Sequence, residues 1–191
     1  MSTLPKTFIT PEEYLEIERK AEFKSEYYNG EMFAMAGARE SHDVLAGNIR
    51  FQLQLQLRRR DCIIFSSDMR VHVPATGLYT YPDAAVVCGE RLFLDDRHDT
   101  LLNPSLIVEV LSPSIEIYDR GRKFDNYRSI ESLMEYLMVS TDRVHADLLT
   151  RHTDELWMLR VADKPADVIE IRSIDCRLTL ADIYEKVDLG L

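Results

Sequence analysis

Two short apolar runs constrain this chain more than anything else in it, because each carries one acid where an acid is expensive. Residues 81–87 read Tyr81, Pro82, Asp83, Ala84, Ala85, Val86, Val87, and residues 106–111 read Leu106, Ile107, Val108, Glu109, Val110, Leu111. Both are rich in apolar and β-branched residues and bounded by Pro, Gly or Ser, which is the pattern of buried strands. A lone carboxylate in such a strand must be paired, protonated or bound to a metal, because an isolated buried charge costs too much. Asp83 opens its strand, and Glu109 sits in the middle of its own. A basic helical segment follows over residues 119–127 and carries Lys123. Two carboxylates and one lysine brought together can hold a divalent cation and activate a water molecule. The structural alternative is that each acid caps a turn or pairs with a surface arginine. Two acids on consecutive strands, followed by a basic helix, favour a site.

The order Pro82-Asp83, then Glu109 in a hydrophobic strand, then a lysine resembles the PD-(D/E)XK nuclease superfamily. More narrowly, the chain resembles the Uma-type restriction endonucleases, formerly described as a domain of unknown function. The segments that carry the likeness are 10–14, 28–31, 35–38, 67–71, 81–83, 107–114, 118–121, 123–124 and 135–136, and it extends over roughly residues 10 to 187. The most specific of them is the run from Glu109 through Ser112, Pro113 and Ser114 to Asp119, Arg120 and Gly121. The resemblance implies an α/β (α+β) fold: a restriction-endonuclease-like core, a mixed β-sheet flanked by helices, an N-terminal hairpin and extra antiparallel C-terminal strands. It implies that Asp83, Glu109 and the backbone carbonyl of Val110 hold Mg²⁺ or Mn²⁺. The implied substrate is nucleic acid, with DNA the expected kind, and a homodimer would supply one site per strand of a duplex. The superfamily pattern places its lysine two residues after the second acid, where this chain has Leu111. The resemblance implies that Lys123 supplies the ammonium instead, and it adds Glu31 as a further acid of the site.

With 191 residues, 46% of them hydrophobic, the chain is expected to form one domain over residues 1–191 with a sizeable core. No apolar run approaches the length of a membrane span. The first residues lack the apolar centre of a signal peptide, so a cytoplasmic location is expected. Cys62, Cys88 and Cys176 are odd in number and far apart, which suits reduced thiols better than a disulfide framework or a zinc site. The net charge of −10 works against non-specific DNA binding, but the first 60 residues are balanced and the excess acid accumulates after them. A nucleic-acid surface would draw on Arg39, Arg50, Arg58, Arg59, Arg60, Arg120 and Arg122.

Taken in order, Thr10, Pro11 and Glu13 form a capping box with Pro at the first helical position, and the helix should run to about Lys20 with Tyr14, Leu15 and Ile17 inward. Residues 23–36 read as a hairpin turning at Asn29-Gly30. Residues 41–58 alternate like a strand in part. Leu45, Ile49, Leu53 and Leu57 nonetheless make an i, i+4 stripe, and a helix is expected with Ser41 as its cap. His42 then lies in its first turn, where it either faces the site or is simply solvated. Cys62–Phe65 and Met69–Val73 are expected as strands of the same sheet. Asp95, Asp96, His98 and Asp99 match no firm ligand spacing and read as a solvated loop. Lys123 and Tyr127 fall four apart on one face of a helix over residues 119–130. Strands are expected at Glu135–Ser140, Val144–Thr150, Leu156–Val161 and Val168–Ile171, as antiparallel additions, and then a closing helix over residues 178–185.

Two other function classes fit the same residues. One is a catalytically inactive protein of the nuclease fold that binds nucleic acid or regulates a partner, favoured by the acidic charge and by Leu111. The other is a carboxylate-pair hydrolase such as a glycosidase, for which a single tryptophan, Trp157, offers little sugar platform.

Overall fold

A computed structural model describes residues 8–35, 37–112 and 119–189. Ala36, Pro113, Ser114 and Tyr118 of the family-like segments lie outside the described residues.

The chain opens with helix α1 (Pro11–Glu18), whose Thr10 hydroxyl accepts the Glu13 N–H while the Glu13 carboxylate accepts the Thr10 N–H. This is the capping box read from sequence. Tyr14, Leu15 and Glu18 face inward. Ile17 does not, being 48% exposed, because the helix packs along one narrow stripe. Strands β1 (Ser25–Tyr28) and β2 (Glu31–Ala34) pair antiparallel across Asn29 and Gly30, both at positive φ as a two-residue primed turn requires. Helix α2 (Glu40–Leu57) buries Leu45, Ile49, Leu53 and Leu57 in a continuous stripe. Its N-cap is Arg39, with no side-chain hydrogen bond, so Ser41 lies within the first turn and is not the cap.

The remaining elements are β3 (Cys62–Ser66), β4 (Arg70–Val73), β5 (Leu78–Thr80), β6 (Ala84–Cys88), β7 (Thr100–Leu101) and β8 (Leu106–Leu111). A π-helical turn (Asp119–Lys123) then leads into α3 (Phe124–Tyr127), shorter than the helix to residue 130 that the sequence suggested. After it come β9 (Glu135–Ser140), β10 (Ala146–Arg151), β11 (Trp157–Ala162), β12 (Val168–Ile171), β13 (Cys176–Thr179) and α4 (Leu180–Ile183). Among the described residues the strands form a six-stranded sheet in the order β11-β10-β9-β8-β6-β3, a five-stranded sheet in the order β2-β1-β5-β4-β7, and the pair β12-β13.

This arrangement bears out the mixed α+β expectation and corrects several details. The segments 62–66 and 70–73 belong to different sheets. Strand β9 runs parallel to β8, not antiparallel, because the helical crossover between them returns the chain in the same direction. Strands β12 and β13 form a ribbon of their own, and Leu178 and Thr179 are strand where a helix was expected. Cys62 lies opposite Cys88 in the antiparallel β3–β6 register, with Cα atoms 4.0 Å apart, and the two form a disulfide in place of the expected free thiols. The sequence separation of 26 hid this pairing, which cross-strand register alone sets up.

The six-stranded sheet has two packed faces. Leu106, Val108 and Val110 of β8 join α2, β12, β13 and α4 in one core. Ile107 and Leu111 of the same strand join β4, β5, β7 and α3 in the other. A small aromatic cluster of Tyr14, Tyr27 and Tyr79 fastens α1 and the hairpin to β5.

Candidate active site

The β6–β8 ladder brings the two acids together. Ala84 pairs with Val108, so Asp83, one residue before β6, comes opposite Glu109. Residues directly opposite on paired strands share a face. Strand β6 has ended there, and the Val110 N–H, left without a strand partner on that side, donates to Asp83 Oδ2 at 2.7 Å. In an extended strand a residue's N–H and C=O point to the same neighbour, so the Val110 carbonyl also faces Asp83. Asp83, Glu109 and the Val110 carbonyl thus stand at the same end of the β6–β8 ladder. His42, in the first turn of α2, approaches from beyond the strand end, its Nε2 3.3 Å from Asp83 Oδ2.

Glu109 is 5% exposed and faces the second core. Its Oε1 accepts from the Tyr127 hydroxyl at 2.8 Å and lies 2.9 Å from the Lys123 ammonium. Lys123 follows Glu109 by fourteen residues, yet the π-helical turn and α3 return it to the acid. Leu111, at the position where the superfamily pattern has a lysine, is packed in the core instead. Tyr127, four residues after Lys123, bonds to Glu109 and so fixes the acid. Burial, and then the charge of Glu109, raise the Tyr127 hydroxyl well above the ordinary tyrosine range. It therefore remains a proton donor at any physiological pH.

The sequence reading missed two members of this cluster. Glu26, on β1, places Oε1 3.0 Å from Lys123 Nζ. The Thr80 hydroxyl, at the end of β5, donates to the same Glu26 oxygen. Glu31, which the sequence reading singled out, starts β2 opposite Tyr28 and shares a hairpin face with Glu26, two residues nearer the turn. The available signal was the alternation of β1. Tyr27 packs into the aromatic cluster, which turns Glu26 and Tyr28 to the other side.

Among the described residues, the arginines suggested for a basic surface are spread apart or engaged elsewhere. Arg39 and Arg58 flank opposite ends of the 18-residue helix α2, about 27 Å apart at 1.5 Å per residue. Arg60 is engaged with the Asp175 carboxylate and with the backbone carbonyls of Ile174 and Asp175. The loop acids Asp95 and Asp99 bind Arg19 at 2.7 and 2.8 Å, which makes them structural. Among the described residues no group of three His, Cys, Asp or Glu side chains is arranged to hold a metal ion. No helix among them is long and apolar enough to cross a membrane.

Comparison with known proteins identifies the family and the fold. Residues 11–181 match the Uma2 family, described as "Putative restriction endonuclease". The uncharacterized protein slr1290 of Synechocystis sp. (strain ATCC 27184 / PCC 6803 / Kazusa) is 36% identical over 178 residues, 92% of this chain and 91% of its own length. The uncharacterized protein sll1609 of the same organism is 38% identical over 151 residues, 79% and 85% of the two chains. A crystal structure from Anabaena variabilis ATCC 29413, described as a "putative nuclease belonging to DUF820", shares the fold with a TM-score of 0.77 at 17% identity, covering 93% of this chain and 98% of that one.

Proposed function

The chain belongs to the Uma2 family, and from that premise we propose that it is a divalent-metal-dependent endonuclease that hydrolyses phosphodiester bonds of DNA. The observation that carries this reading is the meeting of Asp83 and Glu109 across adjacent strands, with the Lys123 ammonium 2.9 Å from Glu109.

The donor set suits Mg²⁺ or Mn²⁺. Two carboxylates and a backbone carbonyl are hard oxygen donors, and Mg²⁺ is commonly held by one or two carboxylates together with waters and substrate phosphates. A cage of three or more acidic or imidazole side chains is therefore not required. Asp83, Glu109 and the Val110 carbonyl would hold the ion. When bound, such an ion lowers the pKa of a water and neutralises charge growing on the phosphate.

The chain's own groups do the rest. The Val110 N–H and His42 Nε2 both hold Oδ2 of the Asp83 carboxylate. Tyr127 fixes Glu109 as a permanent donor. Lys123 carries a positive charge to the rim of the acid pair, where it would orient the attacking water or offset charge on the pentavalent phosphorus.

The test is incubation of purified protein with supercoiled plasmid, linear duplex and single-stranded DNA in Mg²⁺ and in Mn²⁺, beside Asp83→Ala. Cleavage by the wild type alone would support the reading, and cleavage by both would point to contamination. Direct conversion of plasmid to the linear form, without a nicked stage, would support a homodimer acting on both strands. Calorimetry should find divalent-ion binding lost in Asp83→Ala and Glu109→Ala. Lys123→Ala should lower kcat while sparing metal affinity; an equal loss of both would give the lysine a structural role.

A second reading is a nuclease-fold protein that binds nucleic acid without cutting it. The net charge of −10 and the dispersed arginines favour it. Tight DNA binding in Mn²⁺ without turnover would select it over the enzyme.

A further inference from the structure

Lys123 and four other side chains form a ring, drawn from both large sheets and the helical crossover. The Lys123 ammonium bridges Glu26 Oε1 at 3.0 Å and Glu109 Oε1 at 2.9 Å. The Tyr127 hydroxyl donates to Glu109 Oε1 at 2.8 Å, and the Thr80 hydroxyl donates to Glu26 Oε1. The Thr80 and Tyr127 oxygens lie 3.5 Å apart, which completes the circuit. Glu26 and Thr80 stand on β1 and β5 of the five-stranded sheet. Glu109 belongs to the six-stranded sheet, and Lys123 and Tyr127 to the helical crossover behind it.

We infer that Glu26 is a positioning residue for Lys123, held in place in turn by Thr80. The argument begins with the length of the lysine side chain. A lysine that arrives on a helix, fourteen residues after the acid it serves, gains no direction from the strand carrying that acid. Its four-carbon stem is flexible, and its ammonium is a point charge without the planar fork of arginine. If Glu109 were its one partner, the carboxylate assigned to the metal would also have to aim the lysine. Glu26 removes that conflict, because it gives the ammonium a second anion that the metal reading does not use. Thr80 is fully buried and its hydroxyl restricts the Glu26 rotamer, so the anchor is itself anchored.

The hairpin therefore completes the site from outside the six-stranded sheet. It is joined to β5 by the pairing of Tyr27 with Tyr79 and by the stacked tyrosines beneath it. What the lysine acts on rests on the nuclease reading above; the contact with Glu26 does not.

The test separates the two. Lys123 is 5% exposed, whereas Lys186 is on the surface with 85% of its side chain accessible. Wild type and Glu26→Gln are treated with an amine-acetylating reagent and sampled over time by peptide mass spectrometry. The glutamine keeps the shape and an acceptor oxygen and removes only the charge. Lys123 should be acetylated about tenfold faster in Glu26→Gln, with Lys186 unchanged, since a buried ion pair that loses one partner is strongly weakened. Thr80→Val should move Lys123 in the same direction by less, and it reads the same contact should Glu26→Gln not fold. In the plasmid assay Glu26→Gln should lower kcat with KM and divalent affinity unchanged, a split that a space-filling role would not produce. Acetylation of Lys123 at the wild-type rate in the variants overturns the inference, and so does wild-type kcat in Glu26→Gln. Faster acetylation of Lys123 in a protein whose wild type cuts nothing upholds the Glu26 contact and sinks the nuclease reading instead.

Discussion

The two faces of β8 are built from alternate residues of one six-residue run, and they differ in kind. Leu106, Val108 and Val110 point into an aliphatic core against α2. Ile107, Glu109 and Leu111 point the other way, and the middle one of the three is a carboxylate tied to Lys123 and Tyr127. Both faces are equally buried. The difference lies in what stands opposite. The helix on the first face turns Leu45, Ile49, Leu53 and Leu57 into that core. The crossover on the second returns an ammonium and a hydroxyl to the acid. A buried charge thus sits where donors reach it: Glu109 on the crossover face of β8, and on the α2 face Glu135, beside Leu106 on β9, where the Arg172 and Ser173 N–H groups donate to it.

The sharpest way to break this comparison is to move the charge by one residue. Val108→Asp places a carboxylate on the apolar face without a partner. It should cost on the order of 5 kcal/mol or more, leaving little folded protein by circular dichroism. A folded Val108→Asp would show that the first face also holds hidden donors. Next in size is Leu53→Ala in the α2 stripe that covers this face. It should lower stability by about 3 kcal/mol in urea titration, the scale of a buried leucine truncation. A loss below about 1 kcal/mol would mean that the face collapses easily around the cavity.

On the polar face the expectation reverses. Glu109→Gln keeps the shape and a hydrogen-bond acceptor for Tyr127, and Lys123 retains Glu26. The stability change should stay near about 1 kcal/mol, the net value of one hydrogen bond, while cleavage falls roughly 100-fold or more, the scale of losing one preorganised group. A large stability loss with activity intact would make Glu109 structural and remove the contrast between the faces.

The smallest effect concerns a charged cluster that touches neither face. Arg19, hydrogen-bonded to Asp99, holds that carboxyl at about 2, below its ordinary value. A lowered carboxylate contributes stability above its unfolded pKa of about 3.9 and loses it as pH falls towards 2. Asp99→Asn should therefore flatten the fall in melting temperature between pH 4 and pH 2, and lower it modestly at pH 7. An unchanged acid profile would mean that the Arg19–Asp99 bridge, partly exposed, contributes nothing measurable.

Local features were legible in the sequence because their causes are local. The capping box at Thr10, the turn at Asn29-Gly30 and the stripe from Leu45 to Leu57 each depend on residues within four positions of one another. The bounds of Glu135–Ser140 and Val168–Ile171 were read without error for the same reason. The local misreadings, such as Ser41 as the cap of α2 and a helix to residue 130, shift an element's end, whereas the larger errors concern partners distant in the chain. Cys62 and Cys88 meet because two strands pair in one register. The segments 62–66 and 70–73 look alike and yet join different sheets. Strand β9 was read as antiparallel because direction depends on the crossover and not on composition. Glu26 escaped notice because nothing near it in sequence distinguishes it from Glu31, while its ammonium partner lies 97 residues away.

The sequence by itself placed Glu109 inside a buried strand and Asp83 at the start of another, since apolar, β-branched runs leave their side chains nowhere else to go. It also determined that something must compensate them. Only the tertiary structure decided what does so. Lys123 and Tyr127 reach Glu109 by way of a helical crossover, and Glu26 reaches Lys123 by way of a separate sheet. The physical reason is range. Burial follows from the pattern of a few adjacent residues, whereas a charge is satisfied only by a group brought within about 3 Å, and that distance is set by how the whole chain closes on itself.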